Sequence, residues 1–357
     1  PAPNSMKLRL FSLIAVLCAS VLLAPAGSAQ EFPYQIFERY LEPLAQQIGM
    51  PGLSAVIVRN GRIEWEKGYG HADLENKIAA TPDTPYPIGG VTQAMTAVLL
   101  GVCTDRLQLE VDAGIRRWVP SFPNDASVRQ VLAHASEGRF VFDPTRYLAL
   151  TPVVEQCLGK PYRVAVADEI LERLTLGGSV PGLDLGLASG QAARELFDAA
   201  RIDRYQRQLA RLAVPYRIDR AGNAQRSEYP PYGVDASGGL VSTARDLARF
   251  EWELDDDNGV PLSLSTLTKM WTPYASSDGV TTPTGQGWFV QTSSNVRLVW
   301  TFGHIPDAAS ALILKMPSKR LTLVLLANSG GLAAGYNLEQ GDIANSPFVK
   351  IFLRLFI

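Results

Sequence analysis

The chain is short of the residues that hold metals. Its 357 residues include three cysteines and three histidines. His71, His134 and His304 stand far apart, and no two cysteines lie at short range. That spacing excludes the usual structural zinc sites, and no metal or other cofactor is expected. Charge is also scarce and balanced: 33 basic against 35 acidic residues, a net −2, with only 19% of positions charged. There is no basic run and no basic–aromatic interleaving, so neither nucleic acid nor an anionic membrane surface is expected as a partner. Internal repeats, low-complexity segments and separating linkers are absent. So are a G-x-S-x-G elbow and carboxylate pairs spaced for acid–base work. The short run Asp255-Asp256-Asp257 reads as a solvated loop.

Hydrophobic residues make up 46%, enough for a sizeable core, and at roughly 150 residues per domain the length suggests two lobes. One long apolar run stands out. Met6, Lys7 and Arg9 give a basic start, Leu10–Ala24 is apolar, and Gly27-Ser28-Ala29 supplies small residues for cleavage. Residues 1–29 therefore read as a secretory signal peptide, with Pro1–Ser5 a short extra stretch before Met6. An uncleaved anchor is the plainer alternative, but the run is short for a membrane span and has no stop-transfer flank. The mature chain is expected to be exported, periplasmic or extracellular, with no stable span after cleavage. Cys103 and Cys157 survive cleavage. Export would permit a disulfide, yet each lies in an apolar helical segment, which favours two buried thiols.

Apolar periodicity predicts a helix over Phe32–Ile48, with Pro43 as a kink or break. Leu53–Arg59 and Arg62–Gly70 flank Asn60-Gly61, a strong hairpin signal. Helices are expected over Gly89–Leu107, Val128–His134, Tyr147–Leu158, Val164–Leu174, Ala188–Leu212 and Thr243–Glu253, the last capped by Ser242 or Thr243. Strands follow over Gly287–Thr292, Val296–Phe302, Ser310–Lys315 and Leu321–Ala327, and Ser346–Ile357 closes as a helix. The plan is one bilobal α/β (α+β) unit over residues 30–357. An antiparallel sheet flanked by helices comes from 30–88 and 265–357. A mostly helical lobe, about 89–264, is inserted between them. A cleft where the lobes meet is a favoured ligand site.

Several segments in this order resemble the serine β-lactamase-related family, which includes class C β-lactamases, penicillin-binding proteins, D-aminopeptidases and esterase-like members. They are Pro51–Val58 with Asn60-Gly61 and Gly68-Tyr69-Gly70, then Thr84–Gly89, Val131–Gly138, Gly239–Leu247, Gly285–Phe289 and Leu325–Asn328. The resemblance runs from Phe32 to the C-terminus and implies a β-lactamase/transpeptidase-like fold.

It also implies a serine nucleophile with a lysine one turn later, S-x-x-K, brought together by i,i+3 spacing. Here those positions read Gly90 and Gln93. Gly90 has no oxygen to acylate, and Gln93 is no base near neutral pH. The second motif, Tyr-x-Asn or Ser-x-Asn, falls on Phe142-Asp143-Pro144. Phe142 lacks the hydroxyl and Pro144 the amide; a slid register would use Tyr147. The third motif, Lys-Thr-Gly or His-x-Gly, falls on His304-Ile305-Pro306, where Pro306 replaces a glycine and is expected to remove a ladder donor. A rival register places it on Thr301-Phe302-Gly303, leaving His304 outside. Ser136 is expected to bond nearby backbone, and Ser237 sits in a small-residue turn.

The expected reading is a β-lactamase-related pseudoenzyme with no intact catalytic set, whose cleft binds a peptidoglycan-like, peptide or ester ligand. The alternative is an active serine hydrolase using a displaced nucleophile. Restoring Gly90→Ser with Gln93→Lys is expected to give a trappable adduct if the cleft is sound.

Overall fold

The structure, a computed structural model, describes residues 28–357 except 232, 257–259 and 277, with side chains from residue 33. The expected signal peptide lies outside the described residues, save its last two. Ser28 and Ala29 open helix α1 (Ser28–Ile48), which continues through Pro33 and Pro43 rather than breaking at Pro43.

The strands are β1 (Gly52–Arg59), β2 (Arg62–Asp73), β3 (Ile78–Ala79), β4 (Tyr86–Pro87), β5 (Tyr216–Ile218), β6 (Ala224–Arg226), β7 (Val241–Ser242), β8 (Phe289–Ser293), β9 (Val296–Ile305), β10 (Ala309–Met316) and β11 (Leu321–Ala327). Among the described residues the remaining α-helices are α2 (Thr92–Asp105), α3 (Val128–Leu132), α4 (Thr151–Leu158), α5 (Tyr162–Val166), α6 (Gln191–Arg194), α7 (Ala199–Leu209), α8 (Ala244–Asp255), α9 (Leu264–Met270) and α10 (Pro347–Phe356).

Seven strands form one antiparallel sheet in the order β3-β2-β1-β11-β10-β9-β8. Asn60 (φ 52°) and Gly61 (φ 76°) make the β1–β2 turn. Two left-handed residues in a two-residue loop match the right-handed twist of the strands, so the hairpin is set locally. β10 and β11 are buried along their whole length. Their side chains alternate between two cores, as a period of two requires. Val56, Val58, Ile313, Val324 and Leu326 face the helical side with α2 and α8. Ala55, Ile57, Leu312, Leu314, Leu323 and Leu325 face α1 and α10, meeting Phe37, Leu41 and Phe352.

In the helical region the side-chain caps decide the boundaries. Thr243, not Ser242, caps α8 by accepting from the Asp246 amide at 3.1 Å. The single helix expected over Ala188–Leu212 is broken. Asp198 accepts from the Arg201 amide at 2.8 Å and starts α7 afresh. Gly190 packs where a β-carbon would lie 1.9 Å from the Asp184 carbonyl oxygen. The segment Tyr147–Leu158 likewise divides into a 3-10 stretch, Pro144–Leu150, and α4. Val164–Leu174 divides into α5 and a π-helical turn, Ala167–Glu172. The β5–β6 hairpin has no counterpart in the sequence-based expectation.

Two further expectations are overturned. Cys103 and Cys157 are not free thiols: they form a disulfide joining α2 to α4. Asp255 is not in a solvated loop. It ends α8 and pairs at 2.9 Å with Lys315, which is fully buried on β10. Asp257 lies outside the described residues. Among the described residues, no helix is long and apolar enough to cross a membrane.

Candidate functional site

The entry to α2 is a tight 3-10 turn, Gly89–Val91, pressed against the end of β9. Gly89 takes φ +52°, and a β-carbon there would lie 3.1 Å from the His304 amide nitrogen. On Gly90 a β-carbon would lie 2.8 Å from the Phe302 carbonyl oxygen. On Gly303 it would lie 1.9 Å from the Ile88 carbonyl oxygen. Two backbone segments thus lie face to face with no side chain between them, an approach that glycine permits.

Gln93, one turn on, is buried below this contact. Its Nε2 donates to the Ser237 carbonyl at 3.4 Å, and its Oε1 lies 3.2 Å from His134 Nε2. The His134 ring sits between Phe142 (centroids 4.7 Å apart) and Tyr147 (4.9 Å). Burial pushes the His134 imidazole down to about 4, although the nearby Asp143 pulls the other way. The side chains below Gly90 are therefore neutral at neutral pH.

Above them lies a cavity of about 720 Å³. Gly90, Phe142, Pro144, His304 and Pro306 all line it, together with Asp235, Ser237 and Glu339. Gln93 does not; it sits beneath. Phe142 stacks on Phe302 at 5.4 Å and 26°. Tyr147, the slid-register alternative, is fully buried, and its hydroxyl donates to the Leu132 carbonyl. Ser136 does not line the cavity, and its hydroxyl accepts from the Arg146 guanidinium rather than pairing with backbone.

His304 stands opposite Ser310 and keeps part of its surface in solvent. Partial burial holds its imidazole below the ordinary value, against the pull of Asp307 and Glu339. Pro306 removes no ladder bond. β9 ends at Ile305, and Pro306 lies in the turn to β10. Asp235 and Glu339 were not foreseen. Asp235 Oδ1 accepts from both the Ser237 amide (2.7 Å) and the Ser237 hydroxyl (2.6 Å). An Asp-x-Ser spacing before a glycine pair is the one sequence signal that could have drawn attention to it. Among the described residues no group of three or more His, Cys, Asp or Glu could hold a metal ion.

Comparison with known proteins places this geometry. The human mitochondrial serine beta-lactamase-like protein is 29% identical over 83 residues, 23% of this chain and 15% of that one. Protein flp of Staphylococcus aureus is 29% identical over 109 residues, 29% of this chain and 22% of that one. The matched stretches thus span well under two thirds of those relatives. Among solved structures, the octameric penicillin-binding protein homologue from Pyrococcus abyssi superposes with a TM-score of 0.71 at 21% identity, covering 89% of this chain and 76% of that one. D-amino acid amidase from Ochrobactrum anthropi gives 0.71 at 20%, covering 90% and 98%. A class C beta-lactamase gives 0.69 at 17%, covering 92% and 97%. These likenesses establish a β-lactamase/transpeptidase-like fold. The family model for Beta-lactamase matches residues 37–344, so the chain belongs to the beta-lactamase family.

Proposed function

We propose that this chain is an exported, non-acylating member of its family that holds a small organic or peptide ligand in the interlobe cleft. The carrying observation is at Gly90. The nucleophile position has no hydroxyl, and the space for its β-carbon is taken by the Phe302 carbonyl, 2.8 Å away. Gln93 supports the same reading. It is tied to His134 and the Ser237 carbonyl and cannot take a proton from a neighbour. Removing the nucleophile of such a catalytic unit costs on the order of a millionfold in turnover. The cavity, in contrast, keeps a volume suited to a ligand of drug-like size. The leader-like residues 1–29 and the Cys103–Cys157 disulfide support export, because disulfides persist in oxidising compartments.

One observation favours a second reading, a hydrolase with a displaced nucleophile: Ser237 and His304 line the same cavity. Labelling with a fluorophosphonate separates the two. The binding reading expects no covalent label and saturable, non-covalent ligand uptake. A label that disappears in Ser237→Ala would establish the hydrolase instead.

A further inference from the structure

The charge of the cavity wall is lopsided in a chain that is balanced overall. With 33 basic and 35 acidic residues, an average patch should carry both signs. The cavity is lined by two carboxylates, Asp235 and Glu339, and by no lysine or arginine. A third carboxylate, Asp307, acts with Glu339 on the His304 imidazole. Arg146, on the Phe142–Leu148 stretch of the rim, is committed to Glu137 and Asp143. Asp235 uses Oδ1 for Ser237, and no described basic residue pairs with it or with Glu339. His304 supplies little compensation, because partial burial disfavours its charged form. A carboxylate ligand entering here would meet two like charges and no counter-ion.

Apart from Ser237, Asn337 and His304, the side chains of the rest of the wall are apolar or aromatic. Phe142 and Phe302 stack as a pair, with Leu148, Ile305 and Pro306 beside them. Aromatic faces attract cations and shelter apolar bodies, so they favour the same kind of guest as the carboxylates. We propose that the cavity selects a primary ammonium on an aromatic or aliphatic body, with Asp235 and Glu339 holding the cation and the Phe142–Phe302 pair holding the body. This rests on the ligand-binding reading of the cleft and adds the sign of the ligand's charge. A neutral His304 can also accept a hydrogen bond from the ammonium.

Three probes with the same body and different heads test it: phenethylamine, hydrocinnamate and hydrocinnamamide. Each is titrated into the full chain at low salt, followed by ligand-observed NMR. The amine should bind at least about tenfold tighter than the carboxylate, and that preference should shrink as salt screens exposed Glu339. Asp235→Asn with Glu339→Gln should bring the ratio close to one. The amide that replaces the Asp235 carboxylate keeps an oxygen to accept from Ser237, so the turn should survive. Phe142→Ala should weaken all three probes. If the amide or carboxylate probe binds as tightly as the amine, or the double variant leaves the ratio unchanged, the charge inference falls while the binding cleft stands. If none of the three binds saturably, both fall.

Discussion

Two buried polar clusters sit near opposite ends of β10. At one end Ser310 lies opposite His304, beside the cleft. Five residues on, about 16 Å along the strand, is Lys315. Its ammonium donates to the Glu251 carbonyl at 2.6 Å, pairs with Asp255 at 2.9 Å and Glu251 at 3.1 Å, and lies 4.9 Å from the Trp271 ring centre. Burial raises the Glu251 carboxyl even against the pull of Lys315. The cluster under the cleft is different: Gln93, His134 and the Ser237 carbonyl, with no formal charge at neutral pH. The fold thus buries a lysine where it ties α8 to the sheet. At the position where the family resemblance implies a catalytic lysine, it buries an amide. The contrast separates a charge that serves cohesion from one that would serve chemistry.

The charged cluster should be the more sensitive of the two. Lys315→Met should leave Glu251 and Asp255 without their cation and cost about 3–5 kcal/mol, read as a lowered urea midpoint. A loss below about 1 kcal/mol would mean the cluster contributes little cohesion. The helix that carries Gln93 at its start is tied covalently near its other end. Cys103 and Cys157, 54 residues apart, join the helix that carries Gln93 to α4. Replacing both with alanine should cost about 2–4 kcal/mol in the same assay; an unchanged midpoint would refute that dependence.

The third effect is one of pH. His134 is held at about 4 by burial, against 6.5 when unfolded. Between those values the unfolded chain binds a proton that the folded chain refuses. Stability from this group is therefore complete above pH 6.5 and declines as pH falls, by up to about 3 kcal/mol near pH 4. His134→Gln should flatten the stability profile between pH 4 and 6.5; equal slopes in variant and parent would remove His134 from the account. The smallest effect is at the entry to α2. Gly90→Ser with Gln93→Lys must displace β9 from a 2.8 Å contact, at about 1–3 kcal/mol. The double variant should melt earlier and, contrary to the adduct expected from the sequence alone, stay unlabelled by fluorescent penicillin, because the Phe302 carbonyl stands against the new side chain; efficient labelling would mean that the cleft opens readily for a serine.

What was legible in the sequence follows the range of the forces involved. The Asn60-Gly61 hairpin, the four late strands and α10 are set by local turn chemistry and periodicity, and their expected positions lie within three residues of those observed. The expectation of one long helix over 188–212 failed because Asp198 and Gly190 compete locally with an apolar rhythm. The disulfide and the Lys315 cluster were illegible for another reason. Their partners come from segments 54 to 64 residues apart, which tertiary packing alone brings together. At the site, the positions of Gly90, Phe142, Pro144, His304 and Pro306 could be named from motif spacing. The Phe302 carbonyl against Gly90 could not, because a backbone approach leaves no trace in side-chain identity. Asp235 and Glu339 were missed because each is a single acidic residue outside the long periodic elements, Glu339 in the short 3-10 turn Leu338–Gln340.

The most direct measurement is the intact mass of the full chain after prolonged exposure to a penicillin and to a fluorophosphonate. An unchanged mass for both, with phenethylamine still binding saturably, is expected of a cleft that binds without acylation. A stoichiometric adduct on any serine would contradict it.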